Sequence, residues 1–389
     1  MGSHTDRFPL VDALRAVAAL AVLGTHAAYF AGAAAPGSDV GRYAQRLDVG
    51  VAVFFLISGF VLYRPFVLRR TRGEAAPSAG RYAWRRVLRL VPAYWIALTV
   101  SALWLGTSGV FTAEGALTFY GYGQTYREAT IGGGLTQAWT LCIEVAFSVF
   151  VPLWAFAVRR ARPRTEALGL AGLVAVSVAW KVVVLGAGSA EQVRITPLLL
   201  ALPAYLDQFA LGMGLAVLTV WLQGRPSPPA WLRAFDRAPS LSWGVALIAF
   251  WAVSTRIGIG DRPFEPVTPA QYLARHALYT VVAVGLLLPA VIGTPGRGWV
   301  RRLLATRVLG WLGLISYGIY LWHLTGLALL DRWGFGSLPV PALVAWPVAG
   351  LALAVAFAAA SYYGVERPLL RLRDARPGRR TRRRGRVPA

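Results

Sequence analysis

Apolar residues in this chain gather in runs of about twenty, separated by Pro-, Gly- and Arg-bearing stretches. The runs lie near 10–31, 48–66, 88–109, 137–158, 167–187, 196–222, 241–258, 271–293, 308–330 and 341–363. Each is long enough to cross ~30 Å of hydrocarbon as a helix. The pattern predicts an all-α fold: a polytopic integral membrane helical bundle of about ten transmembrane helices. No connection is long enough to fold alone, and the longest on the outer side is expected near 110–136. Any chemistry is therefore expected inside the bundle or at its surfaces.

Composition supports the membrane assignment: 56% of the 389 residues are hydrophobic. The formal net charge of +23 invites a nucleic-acid reading, but its placement argues against one. The basic residues are arginines apart from Lys181, and they concentrate in every second connection. Arg64, Arg69, Arg70, Arg72 and Arg81 mark the second connection, and Arg159, Arg160, Arg162 and Arg164 the fourth. Arg225, Arg233 and Arg237 mark the sixth, and Arg297, Arg301, Arg302 and Arg307 the eighth. The alternate connections carry one or two each, such as Arg42 and Arg46, Arg127, or Arg262. This asymmetry predicts both termini and the Arg-rich connections in the cytoplasm. Residues 1–370 are read as one membrane domain. The Arg-rich tail 371–389 is read as disordered or held against anionic headgroups. "AGAAA" at 31–35 resembles a signal-peptidase site, but the preceding run carries Asp12, Arg15 and His26 and is read as a retained span. The single cysteine, Cys142, excludes an internal disulfide and a multi-cysteine metal site.

Charged groups cost a few kcal/mol near the membrane centre, so those inside the runs need a reason. Arg15 and His26 fall about 20° apart on one helix face and roughly 16 Å apart along the axis. Asp12, one turn before Arg15, is expected to pair with it. Glu144 in "WTLCIEVAF" and His323 in "ISYGIYLWH" are each expected about two turns from the outer end of their spans, level with His26. Ser58 in "FFLISGF" is near mid-span. A carboxylate beside an imidazole fixes its tautomer and raises its basicity. Each residue also has a plainer reading. His26 fits a packing histidine, His323 beside Trp322 an aromatic belt, and Ser58–Gly59 a close helix contact. "RYAWRRVLRLVPAYW" at 81–95 places Arg85, Arg86 and Arg89 at a helix start, either as ordinary loop charge or as a phosphate clamp.

Together these stretches resemble the membrane-bound acyltransferase 3 family, polytopic enzymes that O-acylate sugars and related alcohols. Arg15 and His26 reproduce its Arg-x10-His signature. "FFLISGFVL", "RRVLRLVPAYW", "AWTLCIEVAFSVFVPL", "LDQFALGMGLA", "ISYGIYLWH" and "YYGVERPLL" follow in the family's order. Thr140 stands where Ser is usual, and Ser148 where an aromatic residue often stands. The chain is similar to the short members without an appended esterase-like domain, which include actinobacterial macrolide O-acyltransferases.

The resemblance implies transfer of a short acyl group from acyl-CoA to a hydroxyl of a sugar-containing or macrolide-like acceptor, in a bacterial cell membrane. His26 is the implied general base, supported by Glu144. Arg15, Arg85, Arg86 and Arg89 handle the acyl-CoA donor, and Ser58, Tyr317 and His323 are acceptor or oxyanion candidates. No metal is expected, nor a nucleic-acid partner; acyl-CoA, a small macrolide or glycan acceptor and membrane lipids are. The alternatives are an envelope polysaccharide O-acetyltransferase of the same family, or a transporter of small molecules or lipid-linked sugars. The chain shows no inverted repeat of the kind many transporters carry.

Overall fold

The computed structural model describes residues 8–33, 39–187, 192–227, 229–259, 267–294 and 296–374. The expected tail lies almost entirely outside these residues, as do Arg262 and part of the 31–35 stretch. The described residues are helices and connections without a strand. The long helices are α1 (Pro9–Phe30), α2 (Gly50–Thr71), α3 (Ala79–Leu105), α4 (Trp139–Ala157) and α5 (Pro163–Gly186). They continue as α6 (Leu206–Gln223), α7 (Ser240–Thr255), α8 (Pro269–Val291), α9 (Arg307–Arg332) and α10 (Ala342–Ser361). Among the described residues nine helices are long and apolar enough to span; α7 makes a tenth when joined to the short helix Ala230–Arg237, which meets it at 69°. This is an all-α multi-pass bundle.

Two boundaries differ from the pattern, for local reasons. The third span begins at Ala79, not near 88, so Arg81, Arg85, Arg86 and Arg89 lie on α3 itself. A run of Arg, Ala, Leu and Trp extends a helix readily even where hydropathy ends it. It stops at Gly106, whose φ of 74° is the left-handed cap that glycine permits. The sixth span starts at Leu206, ten residues late, because Pro197 and Pro203 leave only a 3-10 turn over Leu202–Tyr205. The start of α8 is fixed by a reciprocal cap between Thr268 and Gln271 with Pro269 in the first turn.

The core is organised around α2, which packs most extensively on α6, and around α1, which packs on α9. Lipid gives no hydrophobic drive for helices to associate, so close approach through small residues carries the contact. A Cβ on Gly59 would lie 2.2 Å from the Phe209 carbonyl oxygen, and one on Gly212 would lie 2.1 Å from that of Leu56. The two backbones touch, and Ser58 is held at mid-bundle beside that contact. The Ser58–Gly59 pair thus does serve as a helix contact, through its glycine.

The connection after α3, expected near 110–136 as the longest on the outer side, folds down into the helices. Tyr94 lies about 16 Å from the C-terminal end of α3, and its hydroxyl donates to the Phe119 carbonyl at 2.7 Å. Trp95 Nε1 donates to the Tyr120 carbonyl at 3.0 Å, and Gln137 Nε2 to the Leu321 carbonyl at 2.5 Å. Tyr122 stacks on Tyr94 with ring centroids 4.4 Å apart. Backbone at this depth is tolerated because protein covers it.

The glycine contact gives a direct test. Gly212→Ala is expected to cost at least about 1–3 kcal/mol through overpacking, seen as a lowered melting temperature in detergent. Gly214→Ala, whose added methyl meets open space, is expected to leave the melt unchanged or raise it. Equal melts for the two variants would refute the close contact.

Candidate active site

The site begins with two histidines on neighbouring helices. His26 on α1 and His323 on α9 have ring centroids 4.9 Å apart. His323 is 1% exposed, so it belongs to no surface belt, and the adjacent Trp322 is buried as well. His26 is partly exposed. A backbone carbonyl accepts hydrogen bonds and never donates them, so each ring's tautomer follows from its partner. His26 Nδ1 lies 2.8 Å from the Val22 carbonyl and His323 Nδ1 lies 2.8 Å from that of Tyr320. In both neutral rings, therefore, Nδ1 carries the proton. His323 Nε2 then presents a lone pair to His26 Nδ1–H at 3.2 Å. His26 Nε2 is left as an acceptor with no hydrogen bond among the described residues.

A second group of polar residues lies nearer the Arg-bearing end. Arg86 Nη2 meets Glu144 Oε1 at 2.6 Å, and Arg86 Nε donates to Ser148 Oγ at 3.1 Å. Ser58 Oγ lies 3.4 Å from the same carboxylate oxygen. Arg89 meets Glu366 at 3.4 Å and stands 5.8 Å from the Tyr317 ring centroid. The Tyr317 hydroxyl donates to the Leu90 carbonyl at 2.8 Å. Arg15 differs from its neighbours: it pairs with no carboxylate among the described residues, and its buried Nε has no partner. The expected Asp12–Arg15 pair does not form, because the Asp12 side chain is exposed.

A narrow cavity of about 30 Å³ lies beside the second group and stops short of the histidines, lined by Arg15, Phe54, Ser58, Thr140, Glu144, Tyr317 and Tyr320 among others. That is room for one or two waters. It begins at Arg15 and ends at Phe54 and Tyr320, whose rings lie 5.7 Å apart; Tyr320 in turn lies 5.7 Å from the His323 ring. The Tyr320 hydroxyl is fixed by the Gln137 carbonyl at 2.9 Å and by Thr140 at 2.8 Å. Phe54 has no such tether.

Three expectations change on this geometry. Glu144 was expected beside the His26 imidazole; it is bound to Arg86 and Ser58, and His323 holds the imidazole instead. Arg86 and Arg89 were expected as a free phosphate clamp; each is ion-paired to a glutamate, while Arg85 is exposed on another face of α3. Tyr317 was an oxyanion candidate, and its only proton is committed to Leu90. The structure also holds a cluster that the sequence reading left unassigned. Lys181 on α5 meets Asp207 on α6 at 2.9 Å, and His276 on α8 meets the same oxygen at 2.7 Å. Ser177 and the Ala204 carbonyl complete the shell. The available signal was ionisable residues within apolar runs, the same signal that singled out Glu144. Among the described residues no group of histidine, cysteine and acidic side chains could hold a metal ion.

Comparisons with known proteins show which family the chain belongs to. The acyltransferase 3 family, described as an acyltransferase domain, matches residues 8–363. The chain is 30% identical over 338 residues to the exopolysaccharide production protein ExoZ of Rhizobium meliloti, covering 84% of this chain and 90% of that one. It is 22% identical over 331 residues to the peptidoglycan O-acetyltransferase OatA of Listeria monocytogenes, covering 81% of this chain and 48% of that protein. It is 27% identical over 358 residues to nodulation protein 10 of Rhizobium leguminosarum, covering 85% and 84%. The chain thus spans about half the length of the peptidoglycan relative and most of the other two. No solved structure matches. The chain is a multi-pass membrane protein that belongs to the acyltransferase 3 family.

Proposed function

We propose that this protein transfers a short acyl group from acyl-CoA to a hydroxyl of a carbohydrate acceptor in a bacterial cell membrane, with His26 as general base. The observation that carries this reading is the direction of the His26 ring. Val22 and His323 occupy its Nδ1 side and leave Nε2 as a lone pair. In the reaction Nε2 takes the proton of the acceptor hydroxyl as its oxygen attacks the thioester carbonyl. His323 Nε2 accepts from Nδ1–H and so stabilises the imidazolium that forms. As the carbon–sulfur bond breaks, the proton on Nε2 passes to the departing thiolate, giving ester and free CoA. Ser58, only loosely held by Glu144, is the donor available to the developing oxyanion.

The Arg-bearing end of the bundle faces the cytosol in this reading, where the donor is found. Arg15 supplies the anion contact, since a guanidinium without a carboxylate is the one free to take another negative group. Glu144 orients Arg86. The pantetheine arm follows the cavity from Arg15 toward His26, and the untethered Phe54 ring swings aside to admit it. A carbohydrate acceptor is preferred to a macrolide because the similar proteins named for their products or substrates are an exopolysaccharide production protein and a peptidoglycan O-acetyltransferase.

Thiol release and ester formation in proteoliposomes, with acyl-CoA and candidate glycans, test the reading. His26→Ala is expected to lower turnover by about 100- to 10,000-fold, and His323→Ala by less, at unchanged KM for the donor. Near-normal ester formation by His26→Ala would remove it as the base. A silent thiol assay alongside glycan uptake would favour a carrier. Arg15→Gln is expected to raise KM for acyl-CoA about tenfold, the loss of one charge-assisted contact of about 1.5 kcal/mol. An unchanged KM would move the anion contact elsewhere. Phe54→Ala is expected to shift the preferred acyl chain to greater length in a competition among acyl-CoAs. An unaltered length profile would show that this ring does not limit the passage.

A further inference from the structure

Apart from the cavity beside Arg15, α6, α7, α8 and the short helix Ala230–Arg237 enclose an open apolar groove of about 410 Å³. Its walls are Phe235, Leu241, Val245, Val281, Val284 and Leu288. The two hydroxyl residues at its edge are spent internally. Ser242 Oγ donates to the Gly285 carbonyl at 2.9 Å, and Thr280 Oγ1 donates to the His276 carbonyl at 2.9 Å while accepting from Gln208 at 3.2 Å. Leu241, Val245 and Val281 are 71%, 52% and 41% exposed, so the groove opens sideways into the hydrocarbon.

Its height and its two ends define the occupant. From Thr280, where Gln208 closes it, to Leu288 the groove rises about 12 Å along α8. That is close to the ~15 Å of one leaflet's hydrocarbon. The other end reaches the Arg-bearing face. There Asp236 is held by Arg301 at 2.9 Å and by Arg297 at 3.2 Å, and the Thr294 backbone nitrogen donates to it at 2.8 Å. This knot fixes Ala230–Arg237 across the groove mouth and leaves Arg237 and Arg302 exposed. Neither pairs with a carboxylate among the described residues. Trp231 on the same short helix is half-exposed, as suits a residue at headgroup level.

We infer that this groove is a binding site for an anionic phospholipid of the leaflet at the Arg-bearing face. One acyl chain lies between α7 and α8, and the headgroup phosphate meets Arg237 and Arg302. The charge at the mouth selects anionic over zwitterionic lipid, and the apolar walls hold a chain of one leaflet's depth. The inference is independent of the acyltransferase reading.

Native mass spectrometry of the full chain, released from nanodiscs of equal phosphatidylglycerol and phosphatidylcholine, tests it. The wild type is expected to retain a phosphatidylglycerol adduct about tenfold over phosphatidylcholine. Val281→Trp, which fills the groove, is expected to lose the adduct at least fivefold. Arg237→Gln, on an exposed position that leaves packing intact, is expected to abolish the preference between the two lipids while keeping a weaker adduct. Equal retention of both lipids by the wild type would overturn the inference. So would an adduct insensitive to Arg237→Gln, or, in a folded Val281→Trp, one insensitive to filling. A dimer that Val281→Trp dissociates would assign the groove to a second copy of the chain instead.

Discussion

Hydrocarbon offers no hydrogen-bond partner, so an ionised side chain carried into the bundle has to be met by another one. This constraint orders the helices. Arg86–Glu144 ties α3 to α4, and Arg89–Glu366 ties α3 to the turn that follows α10. Glu166, 1% exposed, binds Tyr63 and Arg70 and so ties α5 to α2. Lys181, Asp207 and His276 tie α5, α6 and α8. Removing one member of such a pair strands the other at a cost of about 3–5 kcal/mol. Against that background two exceptions stand out physically. Among the described residues the Arg15 guanidinium meets no carboxylate, and His26 Nε2 has no hydrogen bond. In the proposed reaction these two groups meet the donor and the acceptor.

The spans were legible because hydropathy is the property that the bilayer itself selects, and the Arg-x10-His spacing fixed Arg15 and His26 on one face of α1. Glu144 lies with Arg86 nearer the Arg-bearing end than its position in the run suggested, so depth was legible only for the two histidines. Facing direction was not. His26, Glu144 and His323 were all placed at one level, yet only His323 meets His26, because the choice depends on which helices are neighbours and how each is rotated. Glu144 turns toward α3, where Arg86 offers a full charge, and a full charge outweighs a neutral imidazole as its partner. The earlier start of α3 escaped notice for a related reason: arginines lower hydropathy without lowering helix propensity. Lys181 was visible as a lone lysine, but Asp207 and His276 lie on two other helices and share no spacing with it.

The groove beside α8 and the cavity beside α1 share no lining residue, and the α2–α6 contact is where Gly59 and Gly212 bring the backbones together. A contact made by main chain on both sides has no side chain to rearrange. Of the aromatic rings that line the cavity, Tyr317 and Tyr320 are held by hydrogen bonds, while Phe54 and Phe55 are held by packing alone.

The segment inserted after α3 is gripped chiefly through its own carbonyl groups. Tyr94, Trp95 and Tyr320 donate to the main-chain oxygens of Phe119, Tyr120 and Gln137. An anchor that reads carbonyls is blind to the identity of the residues bearing them. Evolution can therefore rewrite much of this plug's surface chemistry, and with it what the far side of the bundle admits, without altering how deeply the plug is seated.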